Sequence, residues 1–140
     1  YYTAYNIYRV KKKLIFEISI SFTPRRYINM AFPVSAALLD ALVLSVVSKE
    51  DTYGYKITQE IREAMDMSES TLYPVLRRLL KNNFLESYDQ EYMGRNRRYY
   101  KITDEGLKQL EDYQSEWFIY KEKIDKLMIN SEDNRSENNE

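Results

Sequence analysis

The sequence predicts a mainly α chain with a small β-hairpin: three helices, two short strands, then one long helix. Three observations predict it. Between Ser35 and Asn82, apolar residues recur at steps of three and four, the period of a helix with one face turned inward. Two aromatic-rich runs then flank Met93-Gly94-Arg95-Asn96-Arg97, a hairpin pattern. From Leu107 to Leu127 the helical spacing returns and is sustained longer than before.

The first helix follows Pro33, with Leu38, Leu39, Leu42, Val43, Val46 and Val47 as its buried seam. Asp51 or Thr52 is placed to cap a second helix running to about Met65, with Ile57, Ile61, Tyr53 and Met65 inward. Gly54 near its start reads as a residue of close packing or special backbone geometry. Ser68 can cap a third helix to about Asn82, whose stripe is Leu72, Val75, Leu76, Leu79 and Leu80. Pro74 lies beyond its first turn, where it removes a hydrogen bond and favours a kink. The stripe passes through it without a change of phase. Phe84–Tyr92 and Arg98–Ile102 read as strands, with Gly94 and Asn96 supplying the positive φ of the turn between them. Thr103 caps the last helix, with Asp104 and Glu105 at the favourable end of its dipole. This order is a winged helix-turn-helix plus one long C-terminal dimerisation helix.

The composition narrows the chemistry. A chain of 140 residues, 44% hydrophobic and 31% charged, holds one compact domain. It has no cysteine and no histidine, which excludes disulfides, thiolate nucleophiles, Cys/His zinc sites and Ser-His-Asp triads. No acid, base and nucleophile converge in the pattern, so no catalytic residue, cofactor or metal is expected. The net charge is −1, yet it is segregated. Residues 68–101 hold seven basic and four acidic side chains, and residues 102–128 hold four basic and seven acidic. A basic middle beside an acidic end creates a local field that the total hides.

The two ends read differently. Residues 1–29 are expected to be an extension upstream of a natural start at Met30, either non-native or a genuine basic arm able to touch DNA phosphates. Lys11, Lys12 and Lys13 precede the apolar run Leu14–Phe22 as in a signal peptide, but Glu17 interrupts it and no small-residue cleavage site follows. The run is also short of the ~20 residues that span a bilayer. Residues 130–140 have almost no apolar content and are expected to be a disordered tail. The expected division is therefore 1–29, a winged-helix domain at 30–102, the dimerisation helix at 103–129, and the tail.

A helix in the major groove needs an apolar face on the body and a donor-rich face outward. The third helix has both, with Ser70, Thr71, Tyr73, Arg77 and Lys81 opposite its leucines, Arg78 on the flank, and Ser68 at the N-terminus. The bland alternative is an ordinary solvated face. In the hairpin Arg95, Arg97 and Arg98 crowd together, with Asn96 among them and Lys101 further on. Such crowding is unfavourable in a plain turn and favourable against phosphates. Tyr99 and Tyr100 point to opposite sides, one to the core. Tyr53, Tyr55 and Lys56 are candidates for backbone contacts that fix register, with Tyr53 equally suited to the core. A protein-interaction module using the same surface for an acidic partner is the alternative reading.

The seam of the last helix is Leu107, Leu110, Tyr113, Trp117, Tyr120, Ile124 and Leu127. Spacing near that of a coiled coil, on a helix longer than a small domain can cover, calls for a second copy. Trp117 is the one tryptophan, an anchor of that seam or a wall on which a flat aromatic ligand can stack.

The residues also resemble a known family. Leu38-Leu39-Asp40-Ala41-Leu42-Val43-Leu44 and Asp51-Thr52-Tyr53-Gly54-Tyr55 are similar to the opening of PadR-family regulators. Ser68-Glu69-Ser70-Thr71-Leu72-Tyr73-Pro74-Val75-Leu76-Arg77-Arg78-Leu79 resembles that family's recognition helix, proline included. Gly94-Arg95-Asn96-Arg97-Arg98-Tyr99-Tyr100 and Ile102-Thr103-Asp104-Glu105-Gly106 resemble its wing and the start of its last helix. The resemblance implies a homodimeric cytoplasmic repressor that binds duplex DNA and is released by a ligand or other signal. One helix after the wing implies the family's short branch. Some members of that branch bind aromatic drugs between subunits, and Trp117 lies where a stacking tryptophan would sit. Residues 1–29 have no counterpart in the family, and the lack of histidine excludes a histidine-based response.

Overall fold

The computed structural model describes residues 32–129, so the expectations for residues 1–29 and 130–140 lie outside the described residues. The elements are α1 (Ala36–Val47), β1 (Thr52–Tyr53), α2 (Gly54–Ala64), α3 (Glu69–Lys81), β2 (Leu85–Tyr92), β3 (Arg95–Ile102) and α4 (Asp104–Met128). This is the winged-helix order predicted from the sequence, with β1 as an unpredicted addition.

Helix α1 begins where the Ser35 hydroxyl accepts from the Leu38 N–H at 3.1 Å. Its core residues are Val43, Leu44, Val46 and Val47. They occupy more than one face, because α1 touches α2, α3, α4 and β3. The expected seam is shifted accordingly: Leu38, Leu39 and Leu42 are half-buried, while Leu44 is fully enclosed. Asp40 is also buried, at 6% exposure.

Asp51 and Thr52 do not cap α2. Thr52 and Tyr53 are extended and pair antiparallel with Tyr100 and Tyr99 of β3, and α2 starts at Gly54 without a side-chain cap. The β-branched Thr52 is 1% exposed, so its residue is held by the sheet instead of the helix end. A Cβ on Gly54 would meet Leu72 Cδ2 at an ordinary 3.8 Å, and its φ is not in the left-handed region. Neither of the roles expected for that glycine applies.

Between α2 and α3, Arg62 Nε donates to the Met67 carbonyl at 2.6 Å, tying the turn that buries Met67. Ser68 caps α3, accepting from the Thr71 N–H at 3.3 Å. Leu72, Val75, Leu76 and Leu79 are buried and Leu80 is half-buried. Pro74 sits inside an unbroken helix on its exposed side, depriving the Ser70 carbonyl of its usual donor. The helix ends in a Schellman arrangement: Phe84 N donates to Leu79 O at 2.9 Å and Asn83 N to Leu80 O at 3.1 Å. Asn83 takes the left-handed conformation at φ 58°, a role in which asparagine substitutes for glycine.

The hairpin is tighter than predicted. Tyr92 pairs with Arg95 across a two-residue turn of Met93 and Gly94, at φ 51° and 73°. Positive φ at both positions is the type I′ geometry that matches strand twist. Asn96 is therefore not a turn residue, and Arg95, Asn96 and Arg97 belong to β3. The sheet order is β1-β3-β2. Tyr100 turns to the core at 7% exposure, and Tyr99 turns the other way.

At the foot of the hairpin, the Thr103 hydroxyl accepts from Gly106 N at 3.0 Å and donates to Asn83 O at 2.6 Å. Thr103 N donates to Phe84 O at 3.1 Å. A Cβ on Gly106 would lie 2.1 Å from Phe84 O, so only glycine allows α4 to approach this closely. Leu110 continues the core, with Tyr113 packed against it.

Candidate nucleic-acid interface

Helix α3 turns Ser70, Thr71, Tyr73, Arg77 and Lys81 outward, all exposed. Among the described residues, Arg77 and Lys81 make no ion pair with a carboxylate. At the N-terminus the Ser68 hydroxyl lies 2.8 Å from that of Ser70 and 2.9 Å from that of Thr71. The outward row is thus polar and rich in donors, over a base of buried leucines.

Arg78 does not share that row. Its Nε donates to both carboxylate oxygens of Asp40 at 3.2 Å, and its Nη2 donates to Oδ1 as well. This hydrogen bond holds the guanidinium above its usual pKa, against the cost of desolvation. The sequence placed Arg78 with the DNA candidates, whereas its charge is taken by the body of the fold. Lys56 is likewise paired with Glu50, which lowers the Glu50 carboxyl and raises the Lys56 ammonium. Tyr55 is exposed, its hydroxyl accepting from Gln59 Nε2 at 3.0 Å.

On β3, Arg95 and Arg97 lie on the face of Tyr99, and Arg98 lies on the opposite face with Tyr100. Arg98 faces Asp89 across the ladder, at 3.4 Å from its carboxylate, and Lys101 lies 3.9 Å from Glu86. Asn96 pairs with Glu91 in register and is exposed. Arg95, beside the turn, is exposed and has no ion pair among the described residues. Arg97 is half-buried, its guanidinium 4.6 Å from the Tyr53 ring centre and 5.1 Å from that of Tyr92. Tyr99 stands edge-on to Tyr53 at 5.6 Å and stacks on Tyr88 at 5.7 Å. The Tyr88 hydroxyl donates to Asp51 at 2.8 Å. Tyr53, left open between core and surface, belongs to this outer cluster.

Tyr100 links the hairpin to α3. Burial raises its phenol, the Arg98 guanidinium opposes the rise, and Tyr73 adds to it.

On α4, two residues of the expected intermolecular seam are occupied by their own chain: Leu110 is in the core and Tyr113 packs on it. Burial and Asp40 push the Tyr113 phenol up. Leu107, Trp117, Tyr120 and Leu127 are exposed, and Ile124 is half-buried. Trp117 and Tyr120 have ring centres 6.1 Å apart. Phe118, Ile119, Met128 and Ile129 are exposed as well. The stripe reading passed over them, and the signal was the unbroken run Trp117-Phe118-Ile119-Tyr120, not a period. Asp40 was also missed as a partner; it is the one charge within α1.

Among the described residues no group of three His, Cys, Asp or Glu is placed to hold a metal ion. No described helix is long and apolar enough to cross a membrane.

The four described helices, the three-stranded antiparallel sheet and the donor-rich third helix are those of a winged-helix, DNA-binding transcription regulator. Residues 43–112 match the model of the transcriptional regulator PadR-like family. The chain belongs to that family. Its fold is similar to that of a Streptococcus mutans protein, 48% identical, with a TM-score of 0.66, over 70% of this chain and 92% of the other. It is also similar to a PadR family transcription regulator from Clostridium difficile, 33% identical, with a TM-score of 0.61, over 64% and 97% of the two chains. A Lysinibacillus sphaericus protein is 38% identical over 95 residues, which are 64% of this chain and 87% of the relative.

Proposed function

We propose that this regulator is a homodimeric, cytoplasmic repressor that reads operator DNA through α3 and grips phosphates with the hairpin. Arg77 is the base-reading side chain, with Ser70, Thr71, Tyr73 and Lys81 around it. Arg95 and Asn96 reach the backbone from the start of β3, with Arg98 and Lys101 further along it; Ser68, Tyr53, Tyr55 and Lys56 set the register. The observation that carries this reading is the outward row of α3, where Arg77 and Lys81 carry charge that no carboxylate of the described chain neutralises. Unneutralised cations in a donor-rich row gain most from an anionic partner.

Residues 30–102 form the DNA-binding unit in this reading, and residues 103–129 join two copies. Helix α4 is 25 residues long, ~38 Å at 1.5 Å per residue, and its distal half leaves Trp117, Tyr120 and Leu127 exposed. Each such side chain covered adds ~1.5–3 kcal/mol, which supports pairing across a two-fold axis. Two recognition helices then meet half-sites one turn apart. A small aromatic effector stacking on Trp117 between subunits is the signal for release.

Selection of bound fragments from a randomised duplex library, followed by gel retardation, tests the proposal. The expected product is an inverted repeat, with affinity falling on the order of 10³ from 50 to 200 mM salt if about six phosphates are contacted. Absence of any duplex retention at low salt overturns it.

A further inference from the structure

Arg97 was grouped with the phosphate-gripping arginines from sequence, but its surroundings differ from theirs. The sheet order puts β3 between β1 and β2. Tyr53 and Tyr92, the two rings that meet the Arg97 guanidinium among the described residues, therefore come from opposite neighbours. Tyr53 is the residue from which α2 departs. Tyr92 is the last residue before the hairpin turn, and it pairs with Arg95. One guanidinium thus spans from the root of the helix-turn-helix to the far end of the hairpin.

A hairpin of two eight-residue strands extends well past β1, which has only two residues. Backbone pairing with β1 holds it at Thr52↔Tyr100 and Tyr53↔Tyr99 alone. Beyond those pairs, β3 has no ladder partner on that side among the described residues, so backbone pairing alone does not brace the far half there. The Tyr53–Arg97–Tyr92 contact reaches into this unsupported half, and the Tyr88–Tyr99 stack, anchored on Asp51, stiffens the part below it. We infer that Arg97 is a positioning residue: held between Tyr53 and Tyr92, it fixes the hairpin's far end relative to α2 and so presents Arg95 to the DNA backbone. This rests on the proposed DNA reading, but the tie exists in the free protein and is measurable without DNA.

The test is a cycle of Arg97→Gln, Tyr92→Leu and the double variant, with Tyr92→Phe as the conservative partner. Each is titrated with a mixed-sequence duplex of about 30 base pairs across a range of salt. A positioning role predicts that both single variants bind about tenfold more weakly, in line with the worth of ring–cation contacts. The double variant is no weaker than either single one, Arg97→Gln and Tyr92→Leu change the slope of log K against log salt equally because both misplace Arg95, and Tyr92→Phe binds as wild type. Hydrogen exchange without DNA shows faster exchange of hairpin amides in Arg97→Gln and Tyr92→Leu. If Arg97 instead grips a phosphate itself, Arg97→Gln shallows the slope by about 0.9 while Tyr92→Leu is neutral, and the inference fails. Unchanged exchange in both variants also overturns it. A wild-type chain that binds no duplex while both variants speed exchange defeats the DNA reading and leaves the tie standing. Should Arg97→Gln not fold, Tyr92→Leu, whose ring is already 46% exposed, carries the same measurements.

Discussion

Arg78 Nε sits 3.2 Å from each carboxylate oxygen of Asp40, joining α3 to the buried middle of α1. Asp40 is 6% exposed, and the Tyr113 phenol of α4 responds to both charges. Residues of α1, α3 and α4 therefore meet at one ion pair.

Removing one partner of such a pair leaves an uncompensated charge in the interior. Arg78→Ala is expected to lower stability by about 2–3 kcal/mol, toward the mild end because the arginine keeps a face in water. Urea unfolding measures it. Replacing both partners, Asp40→Leu with Arg78→Met, recovers most of the loss, since an apolar pair of similar bulk needs no counter-charge. A double variant as unstable as Arg78→Ala alone refutes this account.

Arg77, one position earlier, is expected to behave in the opposite way. Arg77→Ala leaves the unfolding midpoint within the ±0.5 kcal/mol typical of exposed sites. It narrows the gap between operator and unrelated DNA by about 1–3 kcal/mol. Competition binding with the two duplexes separates loss of specificity from uniform weakening.

Gly106→Ala places a methyl group 2.1 Å from the Phe84 carbonyl oxygen. The α4 start and the hairpin foot must separate, at about 3 kcal/mol, read as a lower thermal midpoint. An alanine variant as stable as wild type would mean the approach is looser than described.

Met93 is the hairpin's poorest fit, a bulky side chain at φ 51° where asparagine is favoured. Met93→Asn is expected to stabilise by about 0.5–1 kcal/mol, with DNA affinity unchanged. Denaturant titration and gel retardation decide the two parts independently.

Alkaline unfolding follows from Tyr100 and Tyr113, whose phenols burial raises above the ordinary 10.0. An unfolded tyrosine ionises first, so its chain binds fewer protons than the folded one above that pH. Stability is flat in this respect below about pH 10 and falls as pH rises beyond it. Tyr100→Phe should flatten the decline. Unfolding midpoints from pH 8 to 11 measure it, and an undiminished slope in the variant counts against the assignment.

The helices were legible because their stripes are local: Leu72, Val75, Leu76 and Leu79 declare α3 without help from the rest of the chain. Strand β1 was not, since two residues carry no period and Thr52 is paired with Tyr100, forty-eight positions away. The turn was misjudged because Asn96 has the better left-handed propensity, yet register places Met93 there. The outward row of α3 could be read from spacing, whereas the partner of Arg78 could not. A helical wheel gives the direction of a side chain and says nothing of which carboxylate another helix brings to it.

The clasp of Thr103 on Asn83 and Phe84 closes the hairpin's two strands at the same end from which α4 departs. In the proposed reading, a twist applied to α4 reaches the hairpin through this clasp, as a screwdriver's handle turns its blade. By the same reading, a signal received along α4 reaches the hairpin through Thr103 as well as through Leu110 in the core.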